Sequence, residues 1–133
     1  MNKAYVYRLY PTADQKILFA KTFGCCRKIW NLMLGDRIDA YNDYGITLLP
    51  TPAWYKSDDR YSYLKEVDSL ALANTQLDLQ RAYVAAFDQP GHGFPKFKSK
   101  RWSKLSYTTN NQNGTINVTD GHIRLPKAGM VKA

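Results

Sequence analysis

Cysteine, glutamate and long apolar runs are what this sequence has least of. Its two cysteines, Cys25 and Cys26, are neighbours, and adjacent residues neither bridge each other readily nor form the CxxC clamp of a zinc module. A disulfide scaffold and a zinc finger are excluded. No apolar stretch approaches the roughly 20 residues that span a bilayer, and the start, Met1-Asn2-Lys3-Ala4-Tyr5, has no signal-peptide core. No membrane contact is expected, and a cytosolic location is. Glu66 is the single glutamate. Acid–base or two-metal chemistry gathers carboxylates from several elements, whereas Glu66, Asp68 and the Asp58-Asp59 pair share one loop region, where they read as caps and solvated acids. His92 and His122 each adjoin a glycine in a turn, and no GxSxG, P-loop or GxGxxG occurs. No catalytic residue, metal site or cofactor is expected in this chain.

What is present is a globular composition, with 44% hydrophobic and 23% charged residues, and a net charge of +8 that is unevenly placed. Residues 1–35 carry six Lys/Arg against Asp14 alone, residues 36–88 carry five against nine acids, and residues 89–133 carry eight against Asp120 alone. Lys96, Lys98, Lys100, Arg101 and Lys104 fall in a stretch that has no acid between Asp88 and Asp120. Such a block attracts a polyanion. Phe94, Phe97, Trp102 and Tyr107 are threaded through it. Rings placed this way either stack on bases beside phosphate-binding lysines or anchor the segment to the core.

Residues 3–10 are rich in aromatic and β-branched side chains and stop at Pro11, which predicts a strand. Thr12 and Gln15 have capping-box spacing. They start a helix whose stripe of Phe19, Phe23, Cys26, Trp30 and Met33, extended by Leu34, Ile38 and Tyr41, runs to about Tyr44 and ends at Gly45. Gly24 and Gly35 are its weak points, each marking a bend or a close contact. Residues 45–62 read as loop with a short helical turn near Trp54. Asp68 or Ser69 caps a second long helix with two apolar stripes, one of Leu70, Ala73, Leu77, Val84 and Phe87 and one of Leu72, Leu79, Ala82 and Ala86, and Pro90, Gly91 and Gly93 end it. Beyond it the period alternates. Strands are predicted at residues 105–109, 115–119 and 122–125, with Asn113-Gly114 and Asp120-Gly121 as turns. The fold class is α+β, with the first strand pairing with the late ones and the helices inserted between them.

Three stretches carry a resemblance: Tyr7-Arg8-Leu9-Tyr10-Pro11-Thr12 with Gln15, Phe23-Gly24-Cys25-Cys26-Arg27-Lys28-Ile29-Trp30-Asn31, and Gly93-Phe94-Pro95-Lys96-Phe97-Lys98-Ser99-Lys100. With Leu64-Lys65-Glu66-Val67-Asp68 and Ile123-Arg124-Leu125-Pro126-Lys127 they resemble, in order and spacing, the N-terminal part of the TnpB (OrfB) proteins of bacterial insertion sequences. The resemblance implies transposon-encoded, RNA-guided DNA endonucleases related to type V CRISPR effectors. It also implies a discontinuous wedge-type β-barrel, incomplete here, interrupted by a helical recognition insert. The expected division is 1–11 for the first barrel strand, 12–94 for the insert, and 95–133 for the basic return segment and further strands. The family's RuvC nuclease and zinc ribbon would lie beyond Ala133.

The implied partners are guide RNA and double-stranded DNA, and the implied location is the bacterial cytoplasm in association with the nucleoid; the open barrel edge leaves room for a homodimer. Lys96, Lys98, Lys100, Arg101, Lys104, Arg8, Arg27 and Lys28 would meet nucleic-acid backbone. Ser69, Asn74, Asn110, Asn111, Gln112 and Asn113 occupy positions suited to base contacts, and an Asn-rich run is equally an ordinary turn. The sequence departs from the family at Thr108, where many members have a basic residue, and at Met130, where they have tryptophan. The rival expectation is a self-contained DNA-binding protein with a helix-turn-helix around Gly45. A loop of about twenty residues is much longer than the usual turn of about 3 to 4 residues in that motif.

Overall fold

The computed structural model describes residues 3–102 and 105–133. The Thr12–Gln15 pair does what its spacing predicts: the Thr12 N–H donates to Gln15 Oε1 (2.9 Å) and the Gln15 N–H to Thr12 Oγ1 (3.3 Å). From this box α1 runs unbroken over Ala13–Tyr44. Gly45 ends it in the left-handed conformation (φ 68°), its N–H donating to the Tyr41 carbonyl. A short α2 (Pro52–Lys56) and a 3₁₀ segment (Asp59–Glu66) lead to α3 (Ser69–Asp88). Asp68 caps α3 by accepting from the Leu70 N–H, and its second carboxylate oxygen accepts the Thr109 hydroxyl. Asp68 is buried, so both bonds offset its desolvation.

The main core lies between α1, α2, the 3₁₀ segment and α3. Ile29, Met33 and Leu34 of α1 meet Leu64, Val67, Leu72 and Leu79 there. Tyr55 joins this cluster and donates its hydroxyl to Asp36 Oδ2 (2.6 Å). Of the two predicted stripes on α3, the one with Leu72 and Leu79 is buried, while Leu77, Val84 and Phe87 of the other are exposed. Ile38 and Tyr41 of α1 are exposed as well.

A second, smaller core holds Phe19 against the sheet residues Ile123, Leu125 and Val131. The sheet is antiparallel, in the order β1 (Asn117–Thr119), β2 (His122–Leu125), β3 (Gly129–Lys132). Asp120 and Gly121 both have positive φ, as the predicted tight hairpin requires.

Two expected strands do not form. Residues 3–9 make no ladder; Tyr10 alone bridges to Lys132, with the Tyr10 N–H donating to the Lys132 carbonyl at 2.7 Å. The chain ends do meet in one sheet, but at β3 rather than at one of the strands predicted over 105–109, 115–119 and 122–125. Residues before Tyr10 run past the end of that strand, and Val6 is 99% exposed. Residues 105–109 are drawn onto the helices instead of into the sheet: Tyr107 packs its ring against Phe19 (5.9 Å) and Phe23 (6.2 Å), and Thr109 bonds Asp68. The result is long helices with a small open three-stranded sheet. No barrel closes among the described residues. Nor is any helix among them long and apolar enough to cross a membrane.

Candidate nucleic-acid interface

The basic return segment lies as a strap, residues 94–101, across the two long helices. Each attachment has an identifiable cause. The Trp30 indole is buried in the core of α1, and its Nε1–H emerges to donate to the Lys96 carbonyl at 2.8 Å. One helical position on, Asn31 grips the next extended residue from both sides. Its Nδ2 donates to the Lys98 carbonyl (2.9 Å), and the Lys98 N–H donates to its Oδ1 (2.8 Å). This reproduces with a side-chain amide the bond pair that a neighbouring strand would supply.

The rings of the strap rest on the helix surface. Phe94 meets Phe87 edge-on at 5.4 Å and Tyr83 at 6.4 Å. Phe97 covers Gly35, where an added Cβ would stand 3.7 Å from the ring. Gly35 thus marks a close contact rather than a bend. Phe94 and Phe97 remain 61% and 59% exposed, so each anchors by one face and leaves the rest of the ring to solvent.

With the backbone pinned, Lys96, Lys98, Lys100 and Arg101 are all exposed. Lys98 sets its ammonium 3.9 Å from the centroid of the Trp30 ring, a cation–π contact that fixes where this charge sits. Lys104 lies outside the described residues. Arg27 and Lys28 stand on α1 just before Trp30 and Asn31 and line an open cleft with Lys21, Gly24, Tyr63 and Glu66. Arg8, in the extended N-terminal segment, places its guanidinium 5.8 Å from the Tyr10 ring, apart from the strap's attachment points.

The amide group of residues is only partly brought together. Asn74 donates to the Leu70 carbonyl and to Asn110 Oδ1 (2.7 Å), which joins α3 to the Asn-rich turn. Ser69 is exposed at the start of α3. Asn111 is used inside the turn, accepting from the Ile116 N–H. The Gln112 N–H donates to the Thr115 hydroxyl, and Asn113 takes a positive φ of 56°. Asn111 therefore shapes the turn with its side chain, and Gln112 and Asn113 take part in it through their backbone.

The thiols match the reading of small core residues. Burial, then the neighbouring Cys26 and Glu66, pushes the Cys25 thiol up to about 11, and burial raises Cys26 as well. Neither is an activated nucleophile. Among the described residues no group of three or more His, Cys, Asp or Glu side chains could hold a metal ion.

Trp30 and Asn31 were not legible as the holders of the strap. Their only signal is their place at the end of one resemblance-carrying stretch, which the structure joins to another.

Residues 1–46 match the family model HTH_OrfB_IS605, described as a helix-turn-helix domain. The N-terminal part of this chain is similar to the OrfB family. A Streptomyces pristinaespiralis protein named "Putative RNA-guided DNA endonuclease" is 31% identical over 114 residues, which are 80% of this chain and 27% of that protein. "Virulence protein VsdF" of Salmonella dublin is 28% identical over 118 residues, 79% of this chain and 99% of VsdF. The chain thus spans about a quarter of the first of these relatives and nearly all of the second. The described part of the matched segment consists of the extended N-terminal residues and one helix. Its helical part is the single helix α1, Gly45 closes it, and the next long helix begins only at Ser69.

Proposed function

We propose that this chain binds nucleic acid through the lysine strap and the adjoining face of α1, as the recognition part of a TnpB-like RNA-guided DNA endonuclease. DNA is the partner favoured by the helix-turn-helix family model, and guide RNA is the second. The division into residues 1–11, 12–94 and 95–133 is retained in this reading. So are the backbone contacts of Lys96, Lys98, Lys100, Arg101, Lys104, Arg8, Arg27 and Lys28. Ser69, Asn74, Asn110, Asn111, Gln112 and Asn113 stay the groups proposed for base edges; Asn74 and Asn110 already share a side-chain bond, whereas Gln112 joins the turn through its backbone N–H.

One observation carries the reading: the Trp30 and Asn31 bonds to the backbone of Lys96 and Lys98. Free lysines on a mobile loop lose side-chain and backbone entropy on binding. Here the backbone component at Lys96 and Lys98 is already spent in folding, and the segment that carries these lysines has no acid between Asp88 and Asp120. The nuclease activity named for the Streptomyces protein is not assigned to this chain; among the described residues no group of three or more His, Cys, Asp or Glu could hold a metal ion.

Fluorescence anisotropy with labelled duplex DNA and with single-stranded RNA tests this. If about four phosphates are met, affinity should fall by roughly two decades between about 50 and 200 mM salt. Absence of binding to either at low salt contradicts the proposal.

A further inference from the structure

Gly24 is a residue the fold does not require. A glycine inside a helix costs about 1 kcal/mol relative to alanine, and Gly24 does not use the positive φ that would justify it. A Cβ there would meet only the Arg27 guanidinium, at an ordinary 3.6 Å. What the missing side chain does leave open is the cleft between α1 and the 3₁₀ segment, about 420 Å³ in volume, which Gly24 lines. Glycine is favoured where a ligand approaches backbone closely.

The rest of the lining fits an anionic, ring-bearing ligand. Lys21, Arg27 and Lys28 come from α1, and the only acid, Glu66, lies 3.6 Å from the Lys21 ammonium. Tyr63 stands in the wall with its side chain 40% exposed, braced edge-on by Tyr61 at 6.5 Å. Tyr61 in turn has the Lys28 ammonium 5.4 Å from its ring centre. Lys21, Gly24, Lys28, Asn31 and Gly35 follow one another at steps of three and four residues, which puts them on one face of α1. The cleft and the strap are therefore parts of one track along the helix, with Asn31 at the junction.

We propose that this cleft seats one nucleotide of a single strand, its phosphate against Lys21, Arg27 and Lys28 and its base against Tyr63, with the Gly24 backbone as the floor. The inference rests on the reading of the chain as nucleic-acid-binding. A base inside a duplex has both faces covered by its neighbours, so a lone ring in a pocket is a device for an unstacked base. The cleft volume lies within the range of roughly 300 to 1,000 Å³ common to small-ligand sites.

The test is photo-cross-linking of a single-stranded DNA carrying 5-bromouracil, with the linked peptide mapped, together with anisotropy titrations of the same strand. Wild-type protein should cross-link at Tyr63. Gly24→Leu should lose that cross-link and about tenfold in single-strand affinity, the scale of one base–ring stack, while its melting temperature does not fall. Tyr63→Leu, at an exposed position, should lose affinity by a similar factor, and it decides the matter if Gly24→Leu does not fold. The Lys96→Ala, Lys98→Ala double variant should bind more weakly yet still cross-link at Tyr63. Binding without a cross-link at Tyr63, or unchanged affinity in Tyr63→Leu, overturns the cleft alone and leaves the strap standing. Failure of the wild-type chain to bind any nucleic acid overturns both.

Discussion

Asn31 holds Lys98 by both polar atoms of its backbone, 67 residues further along the chain, at 2.9 and 2.8 Å. Two of the stretches that carry the family resemblance are thereby a single structural unit, a helix surface and the extended segment fastened to it. The unit explains why a polar amide follows a buried indole in this helix: Trp30 fills the core and reaches Lys96, and Asn31 completes the fastening.

Replacing Asn31 with Ala removes both bonds, and hydrogen bonds of this kind contribute about 0.5–1.5 kcal/mol each. Helix content should be unchanged, because the position is an α1 surface site. The Lys98 amide should exchange with deuterium at least tenfold faster, while amides at Ile29 and Met33 keep their protection. Equal protection of Lys98 in wild type and variant would show that the strap is held by its rings alone.

Trp30→Phe separates the two functions of the indole. The ring volume stays largely filled, but the Lys96 carbonyl loses its donor. A loss of about 1–2 kcal/mol in denaturant unfolding is expected, the cost of one unpaired, partly buried acceptor plus a small void. Nucleic-acid affinity should fall as well, through loosening of Lys96 and Lys98. A variant as stable as wild type would place the bond outside the energetics of folding.

Asp68→Ala removes the cap of α3 and the partner of Thr109 together. Loss of an N-cap costs about 1 kcal/mol, and loss of the charged partner of Thr109 about as much again or more. A total near 2–3 kcal/mol is expected in urea unfolding. Asp68→Asn keeps an acceptor for Leu70 and should recover about half. Equal losses in the two variants would argue that the charge, not the cap geometry, is what α3 needs.

Part of the alkaline limit of the fold follows from buried Cys25 and half-buried Tyr107. Burial, then Cys26, raises the Cys25 thiol from an ordinary 9.0 to about 11. Burial, then Asp68, raises the Tyr107 phenol from 10.0 to about 12. Both groups are neutral when protonated, and the folded state holds their protons more tightly than the unfolded chain does. Their contribution is therefore complete below pH 9 and is lost as pH rises through 11 and then 12. Thermal melts should be flat with respect to these groups at neutral pH and drop steeply above pH 10, less so in Cys25→Ala. A melting temperature constant between pH 9 and pH 11 would contradict this.

Local signals were read well in this sequence and distant ones were not, for a physical reason. The Thr12–Gln15 box, the Gly45 stop, the Asp68 cap and the Asp120-Gly121 hairpin each involve residues within a few positions of one another, so their chemistry is visible in the chain itself. Whether Leu72 or Val84 faces inward depends on where α1 lies, and two stripes on one helix look alike until a partner selects between them. Residues 105–109 alternate like a strand, yet Tyr107 finds Phe19 and Phe23, and that packing decides the segment's place. Asn31 was silent because its partner is main chain, which has no sequence signature. The lysines of the strap were legible as a charge block, and the surface that carries them was not.

Lys96 and Lys98, held by Trp30 and Asn31, are proposed to meet phosphates, and this is the step on which the nucleic-acid-binding role depends. It is tested most directly by the salt dependence of DNA binding in the Lys96→Ala, Lys98→Ala double variant. Each phosphate contact contributes about 0.9 to the slope of log affinity against log salt on duplex DNA. The account predicts a slope shallower by about two in the double variant, with the thermal stability of the wild type. A slope equal to that of the wild type would contradict it and move the interface off the strap.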